Sequence, residues 1–293
     1  ICVVATCPAV AVQPNVVLFM ADDMGIGDSS AYLGKQLTPG ASPLTVTART
    51  PNLERLARDG TVFTDVHSPS SMCTATRYAL LTGRYAWRTN QITGAIVSDW
   101  TRRGLIGPDR ETLGTLFQRA GYSTAAIGKW HLGNTLLDVN GEPLDASSTL
   151  SPTEADFNQV MWPSAADPNV RTVIDGAPEH GFDESFGTLG NVRRERPGKL
   201  LAFVENGVVQ GTPFWHNGPV VPDWDGTRMG EAYINKALDL IDSHAGVDGS
   251  EPSNKPLFMY YSPNANHGPW EPAETISIQG QSVPIAGQGR FSD

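Results

Sequence analysis

The sequence predicts an α/β protein with a largely parallel sheet flanked by helices. Three observations predict it. Short apolar runs alternate with amphipathic segments, which is the order of strand–helix units. Glycine and proline supply 30 and 22 of the 293 residues, too many turn formers for a helical bundle. Hydrophobic residues are 40% and charged residues 18%, the balance of a chain that buries a core.

Each element has its own reason. Residues 15–20 form an apolar run, as in a strand buried on both faces, and lead straight into Asp22 and Asp23. Thr50-Pro51 opens a helix: Thr50 suits the cap and Pro51 the first helical position. Leu53, Leu56 and Ala57 make its apolar face and Gly60 stops it. Residues 61–67 alternate like a strand. Residues 74–81 are helical, with Cys73 at the amino end. Residues 111–120 are a helix ended by Gly121, and residues 123–127 a strand that feeds Gly128-Lys129-Trp130-His131. From 132 to about 226 the pattern weakens and turn residues abound. Residues 228–244 are the longest helix, with Met229, Ala232, Tyr233, Leu240 and Ile241 on one side. Residues 257–261 are a strand leading to Asn266-His267-Gly268-Pro269. Three polar groups, Asp22-Asp23, Lys129–His131 and His267, thus follow the carboxyl ends of strands, the edge where open α/β sheets bind ligands.

The formal net charge of −10 argues against a nucleic-acid binder, which carries a basic face. Residues 1–11 are apolar and small, and Ala9-Val10-Ala11 fits a signal-peptidase site. They read as the remnant of a secretory signal peptide, which leaves residues 12–293 as one α/β domain. Cys2 and Cys7 would leave with that segment, so the expectation is an exported, disulfide-free protein whose one cysteine is Cys73. No apolar run of transmembrane length follows.

Two stretches carry chemistry. Adjacent carboxylates such as Asp22 and Asp23 suit a hard divalent cation, although an exposed acidic turn is the commoner origin of such a pair. Cys73 at a helix start, with Arg77 four residues on along the same face, sits where the helix dipole favours an anion. A buried structural cysteine is the plain alternative.

Cys73-Thr74-Ala75-Thr76-Arg77, followed by Leu81-Thr82-Gly83-Arg84, resembles the first signature of the formylglycine-dependent sulfatases. Residues 121–131, Gly-Tyr-Ser-Thr-Ala-Ala-Ile-Gly-Lys-Trp-His, resemble the second. Asp22-Asp23, then Cys73, Lys129-x-His131 and His267-Gly268-Pro269 stand in the family's order. Thr50-Pro51-Asn52-Leu53 and His180-Gly181-Phe182-Asp183 are similar to further family segments. Ala75 stands where proline is more frequent.

The resemblance implies an alkaline phosphatase-like fold with a large mixed, mostly parallel central sheet. It implies hydrolysis of a carbohydrate or aryl sulfate ester through formylglycine, made from Cys73 by a formylglycine-generating enzyme. By motif match, Asp22, Asp23 and the modified Cys73 would hold calcium. Arg77 would stabilise the hydrated aldehyde, Lys129 would bind sulfate, and His131 would assist deprotonation of the aldehyde hydrate. His267 would bind sulfate and protonate the leaving alcohol. Specificity would lie in the carboxyl-terminal part and in the loops of residues 132–226; there Arg193, Arg194 and Arg196 read first as a solvated basic loop and second as a glycan contact, and His216 first as packing in an aromatic loop and second as a substrate contact.

The sequence departs from the family at one point. No Asp-Asn pair occurs in it, so a second pair of metal ligands and a further sulfate-binding lysine are expected beyond Asp293, with the carboxyl-terminal subdomain. The competing expectations are a phosphonate or phosphodiester hydrolase of the same superfamily and a non-catalytic binder of sulfated glycans.

Overall fold

The central sheet runs in the order β1 (Val16–Phe19), β10 (Leu257–Ser262), β2 (Ser123–Lys129), β5 (Glu184–Thr188), β6 (Val204–Glu205) and β7 (Val208–Val209). β1, β10, β2 and β5 are parallel, and β6 and β7 are antiparallel additions at one side, so the sheet is mixed and mostly parallel. The computed structural model describes residues 13–35, 40, 42–43, 45, 49–89, 104–144, 153–191, 199–264, 267 and 273–285. The segment read as a signal remnant, the basic run at Arg193–Arg196 and Gly268-Pro269 lie outside them.

Both faces of the middle strands are buried. α2 (Cys73–Thr82) and α3 (Leu113–Arg119) cover one face, where Tyr78 and Leu81 pack with Ala126, Phe182, Phe258 and Tyr260. α5 (Met229–Ala245) covers the other, placing Tyr233 and Ala237 against Ala125, Ile127, Met259 and Tyr261. Successive residues of β2 and β10 point to opposite faces, so both faces take the apolar residues of β10 and the Ala125–Ile127 stretch of β2. Each large apolar side chain sealed here contributes about 1.5–3 kcal/mol.

The middle of the chain forms small units. β3 (Thr135–Leu136) pairs with β4 (Val173–Ile174), and β8 (Phe214–Trp215) with β9 (Pro219–Val220), around a separate apolar cluster that includes Leu136, Val173, Leu200 and Val209. The short α4 (Glu154–Phe157) lies in the same region, and β11 (Thr275–Ile278) pairs with β12 (Gln281–Pro284).

Two locks hold the strands that carry the site. The Thr124 amide donates to Asp183 Oδ2 at 3.0 Å, and the Asp183 amide donates to Thr124 Oγ1 at 3.0 Å, tying the start of β5 to β2. Gly128 and Gly187 meet where β2 and β5 approach. A Cβ on Gly187 would lie 1.7 Å from the Gly128 carbonyl oxygen, and Gly128 itself has a φ of +114°. Only glycine fits both positions.

Three expectations are corrected. β1 is not buried on both faces: Val17 and Phe19 are more than half exposed, because β1 is an edge strand and α5 packs over β2 and β5. Residues 61–67 form no strand, and Phe63 and Val66 are exposed; alternation alone cannot make a strand without a neighbour to pair with. α1 (Pro51–Asp59) starts where expected, but Thr50 does not cap it. Its hydroxyl instead accepts from the Ser30 amide at 3.0 Å and pairs with the Ser30 hydroxyl at 2.9 Å. No residue of α1 is buried, so the face of Leu53, Leu56 and Ala57 is not sealed by the described residues.

Candidate active site

Asp22 and Asp23 follow β1, whose exit is fixed by the Met20 amide donating to the Tyr261 carbonyl at 2.9 Å. Asp23 takes a left-handed φ of +59°. Asp22 is buried. Its Oδ2 accepts from Lys129 Nζ at 2.7 Å, and its Oδ1 lies 3.4 Å from Arg77 Nη2.

α2 begins at Cys73, as its motif predicts. Arg77, one turn on, is fully buried: Nη1 donates to the Lys129 carbonyl at 2.7 Å and to Tyr260 Oη at 3.2 Å. β2 ends at Lys129, also fully buried. The Ser262 hydroxyl donates to the Lys129 carbonyl at 2.9 Å, fixing the turn. Two residues later His131 adopts a φ of +56°, with its amide donating to the Leu189 carbonyl. This turns its ring to Cys73, and Nδ1 lies 3.3 Å from Sγ. His267 Nε2 lies 3.5 Å from Asp23 Oδ2.

The structure therefore gathers every residue singled out for the site: Asp22 with Lys129 and Arg77, Cys73 with His131, and Asp23 with His267. Chain adjacency of Asp22 to Asp23, and of Lys129 to His131, joins these contacts at the carboxyl edge of the sheet. Sequence reasoning missed Tyr260 and Ser262, which position Arg77 and the Lys129 backbone, because inside an apolar strand they look like core. It also missed Lys199, whose charge acts on His131.

The electrostatics follow from burial. Burial by itself would raise the Asp22 carboxyl, but Lys129 and Arg77 together outweigh it and hold Asp22 below the usual carboxylate range. One carboxylate facing two cations leaves one surplus positive charge. Among the described residues, Thr74 Oγ1, Arg77 Nε and Nη2 and His131 Nε2 are buried without a hydrogen-bond partner. Buried polar groups normally find partners, so a cationic cluster with unmet donors at the start of α2 suits a tetrahedral oxyanion.

Burial, then the charges of Lys129 and Arg77, push His131 down from 6.5 to about 2. The folded state then binds fewer protons than the unfolded chain below pH 6.5, so stability falls as pH drops from 6.5 toward about 2. The loss is about 1.4 kcal/mol per pH unit for this group. Urea unfolding of wild type and His131→Asn between pH 6 and 4 should show the variant's stability falling less steeply; equal slopes would contradict the assignment.

Asp22 and Asp23 supply oxygen donors of the kind a hard cation takes. Among the described residues no group of three or more histidine, cysteine, aspartate or glutamate side chains is arranged to hold a metal ion. Asp22 and Asp23 fit part of a calcium site, whose shell holds about six to eight oxygens.

Similarity to known proteins gives the family. The family model described as Sulfatase matches residues 14–288. An N-acetylgalactosamine-6-O-sulfatase of Bacteroides thetaiotaomicron is 27% identical over 276 residues, covering 89% of this chain and 49% of that protein. Arylsulfatase A of Bos taurus is 30% identical over 287 residues, covering 97% of this chain and 46% of that protein. The chain thus spans about half the length of these relatives. A solved structure from work on the metabolism of multiple glycosaminoglycans by Bacteroides thetaiotaomicron superposes with a TM-score of 0.62 at 24% identity. That match covers 89% of this chain and 52% of the other.

Proposed function

Since the chain belongs to the sulfatase family, we propose that it forms the amino-terminal part of the catalytic domain of a sulfate ester hydrolase acting on a sulfated sugar or aryl compound. The observation that carries the reading is the buried Asp22–Arg77–Lys129 cluster, with its surplus positive charge and unmet donors beside Cys73.

In this reading Cys73 is matured to formylglycine, which supplies a nucleophilic oxygen and a second oxygen that drives sulfate release. Lys129 binds a sulfate oxygen as a compact charge. Arg77, clamped by Tyr260 and the Lys129 carbonyl, would stabilise the oxygens at position 73, one helical turn away. His131 stays neutral because burial disfavours its charged form, so its Nδ1 can accept a proton from the group at position 73. His267 stands beside Asp23 and would protonate the leaving alcohol. Asp22 and Asp23 would hold calcium, which offsets charge on the sulfate oxygens; the remaining ligands are proposed to come from chain beyond residue 293.

Two measurements test this. Mass spectrometry of the residue-73 peptide, after co-expression with a formylglycine-generating enzyme, should show the aldehyde in place of the thiol; a thiol throughout counts against the reading. Chelation of divalent cations should lower aryl sulfate turnover by the full-length protein about 10²- to 10³-fold, with recovery on adding calcium. Faster turnover of a phosphodiester than of a sulfate ester would move the assignment to a phosphodiester hydrolase. We also propose export, on the sequence of residues 1–11; among the described residues no helix is long and apolar enough to cross a membrane.

A further inference from the structure

The rings of Tyr85 and Trp87 stack with centroids 5.8 Å apart and planes 14° from parallel. More than half of each residue is exposed, 53% and 61%. Tyr85 precedes and Trp87 lies within a 3-10 turn, Ala86–Arg88, in which the Arg88 amide donates to the Tyr85 carbonyl at 3.0 Å and the Thr89 amide to the Ala86 carbonyl at 2.9 Å. Ala86 packs inward against the core cluster, so Tyr85 and Trp87 point outward together. The Arg88 guanidinium lies over the Trp87 ring, 5.4 Å from its centroid. Among the described residues neither Arg88 nor the adjacent Arg84 takes part in an ion pair.

Single exposed aromatics are ordinary, but a stacked, preordered pair beside two unpaired arginines is not. Two rings offer a flat apolar face at little conformational cost, as a sugar's C–H face requires. The guanidinium already over the Trp87 ring would bind a sulfate oxygen by a charge-assisted hydrogen bond. On a chain of net charge −10, a polyanion is repelled overall and needs such local cations to land. The turn lies just past Gly83, which ends α2, whereas Cys73 begins α2. At the rise of an α-helix the two ends stand about 15 Å apart, too far for one sugar ring to touch both.

We propose that Tyr85, Trp87 and Arg88, assisted by Arg84, form an accessory binding site for a sulfated sugar ring of a glycan chain, separate from the Cys73 site. The proposal rests on the sulfate ester reading above and gives it a polymeric, sulfated substrate class.

The test uses the full-length protein with Cys73→Ala, which prevents turnover, titrated calorimetrically with a sulfated galactosaminoglycan hexasaccharide and its desulfated counterpart. Trp87→Ala should weaken the sulfated hexasaccharide at least about tenfold, the loss of roughly one good contact. Arg88→Gln should weaken the sulfated chain and leave the desulfated one unchanged. In the Cys73 enzyme, turnover of a small aryl sulfate should be unchanged by either substitution. Unchanged hexasaccharide affinity in both variants, no binding of the hexasaccharide at all, or an equal loss of aryl sulfate turnover would overturn the proposal. Trp87→Phe supplies the same comparison should the alanine variant not fold. If the Cys73 enzyme hydrolyses no sulfate ester, the catalytic reading falls, while the binding comparison still decides the accessory site.

Discussion

Replacing Cys73 by alanine should lower kcat of the full-length protein toward aryl sulfates by about 10⁴- to 10⁶-fold, the scale for loss of a covalent nucleophile. The fold should persist. Cys73 is half-buried at the first position of α2, and that helix is held through Tyr78, Leu81 and Arg77 rather than through the thiol. Steady-state kinetics and thermal melting of the same preparation separate the two effects. Lost activity with an unchanged melting temperature is the expected pair of results; a variant within tenfold of wild type would remove position 73 from the chemistry. Cys73→Ser is a stricter comparison, since it keeps one oxygen at that position but lacks the second that the sulfatase route uses for release.

The largest effect on stability should come from Asp22→Asn. The substitution changes almost no volume, yet it leaves the Lys129 ammonium and the Arg77 guanidinium, both fully buried, facing each other without an anion. Breaking a buried charge group in this way costs about 3–5 kcal/mol, far more than loss of an exposed pair. Added inorganic sulfate should recover part of the loss, because it supplies the missing negative charge to the same two cations. Denaturant unfolding with and without sulfate measures both. Wild-type stability in Asp22→Asn would mean that the cluster is solvated, contrary to its burial. Removing Lys129 instead, as Lys129→Met, should be milder in the fold, since Asp22 keeps Arg77 as a partner, while sulfate binding is lost.

The strands and helices that carry the site were legible because each has an internal reason. β10 is apolar from Leu257 to Tyr261, β2 has the short apolar stretch Ala125–Ile127, and α2 and α5 end at glycines in the left-handed region. What local pattern could not supply was the neighbour. Residues 61–67 alternate like a strand but have no partner edge, and β1 has the composition of an interior strand but lies at an edge. Thr50 has the chemistry of a cap, and Ser30, twenty residues away, takes its hydroxyl instead. The two-residue strands between positions 135 and 220 carry too few residues for any periodicity to show.

The site divides in the same way. Its candidates, Asp22, Asp23 and Cys73 for metal, Cys73, Arg77, His131 and His267 for catalysis and Lys129 and His267 for sulfate, came from the resemblance of their motifs to the sulfatase signatures. Their pairing did not. That Asp22 neutralises one of two buried cations, that His131 turns back on Cys73 through a left-handed backbone, and that Tyr260 clamps Arg77 depend on contacts between residues 50 to nearly 200 positions apart. The sequence by itself determined which groups are present and which strand ends carry them. Only the tertiary structure decided which charges are buried together, and hence that the cluster keeps a surplus positive charge, because desolvation and Coulomb interactions depend on distances in space that chain order does not encode.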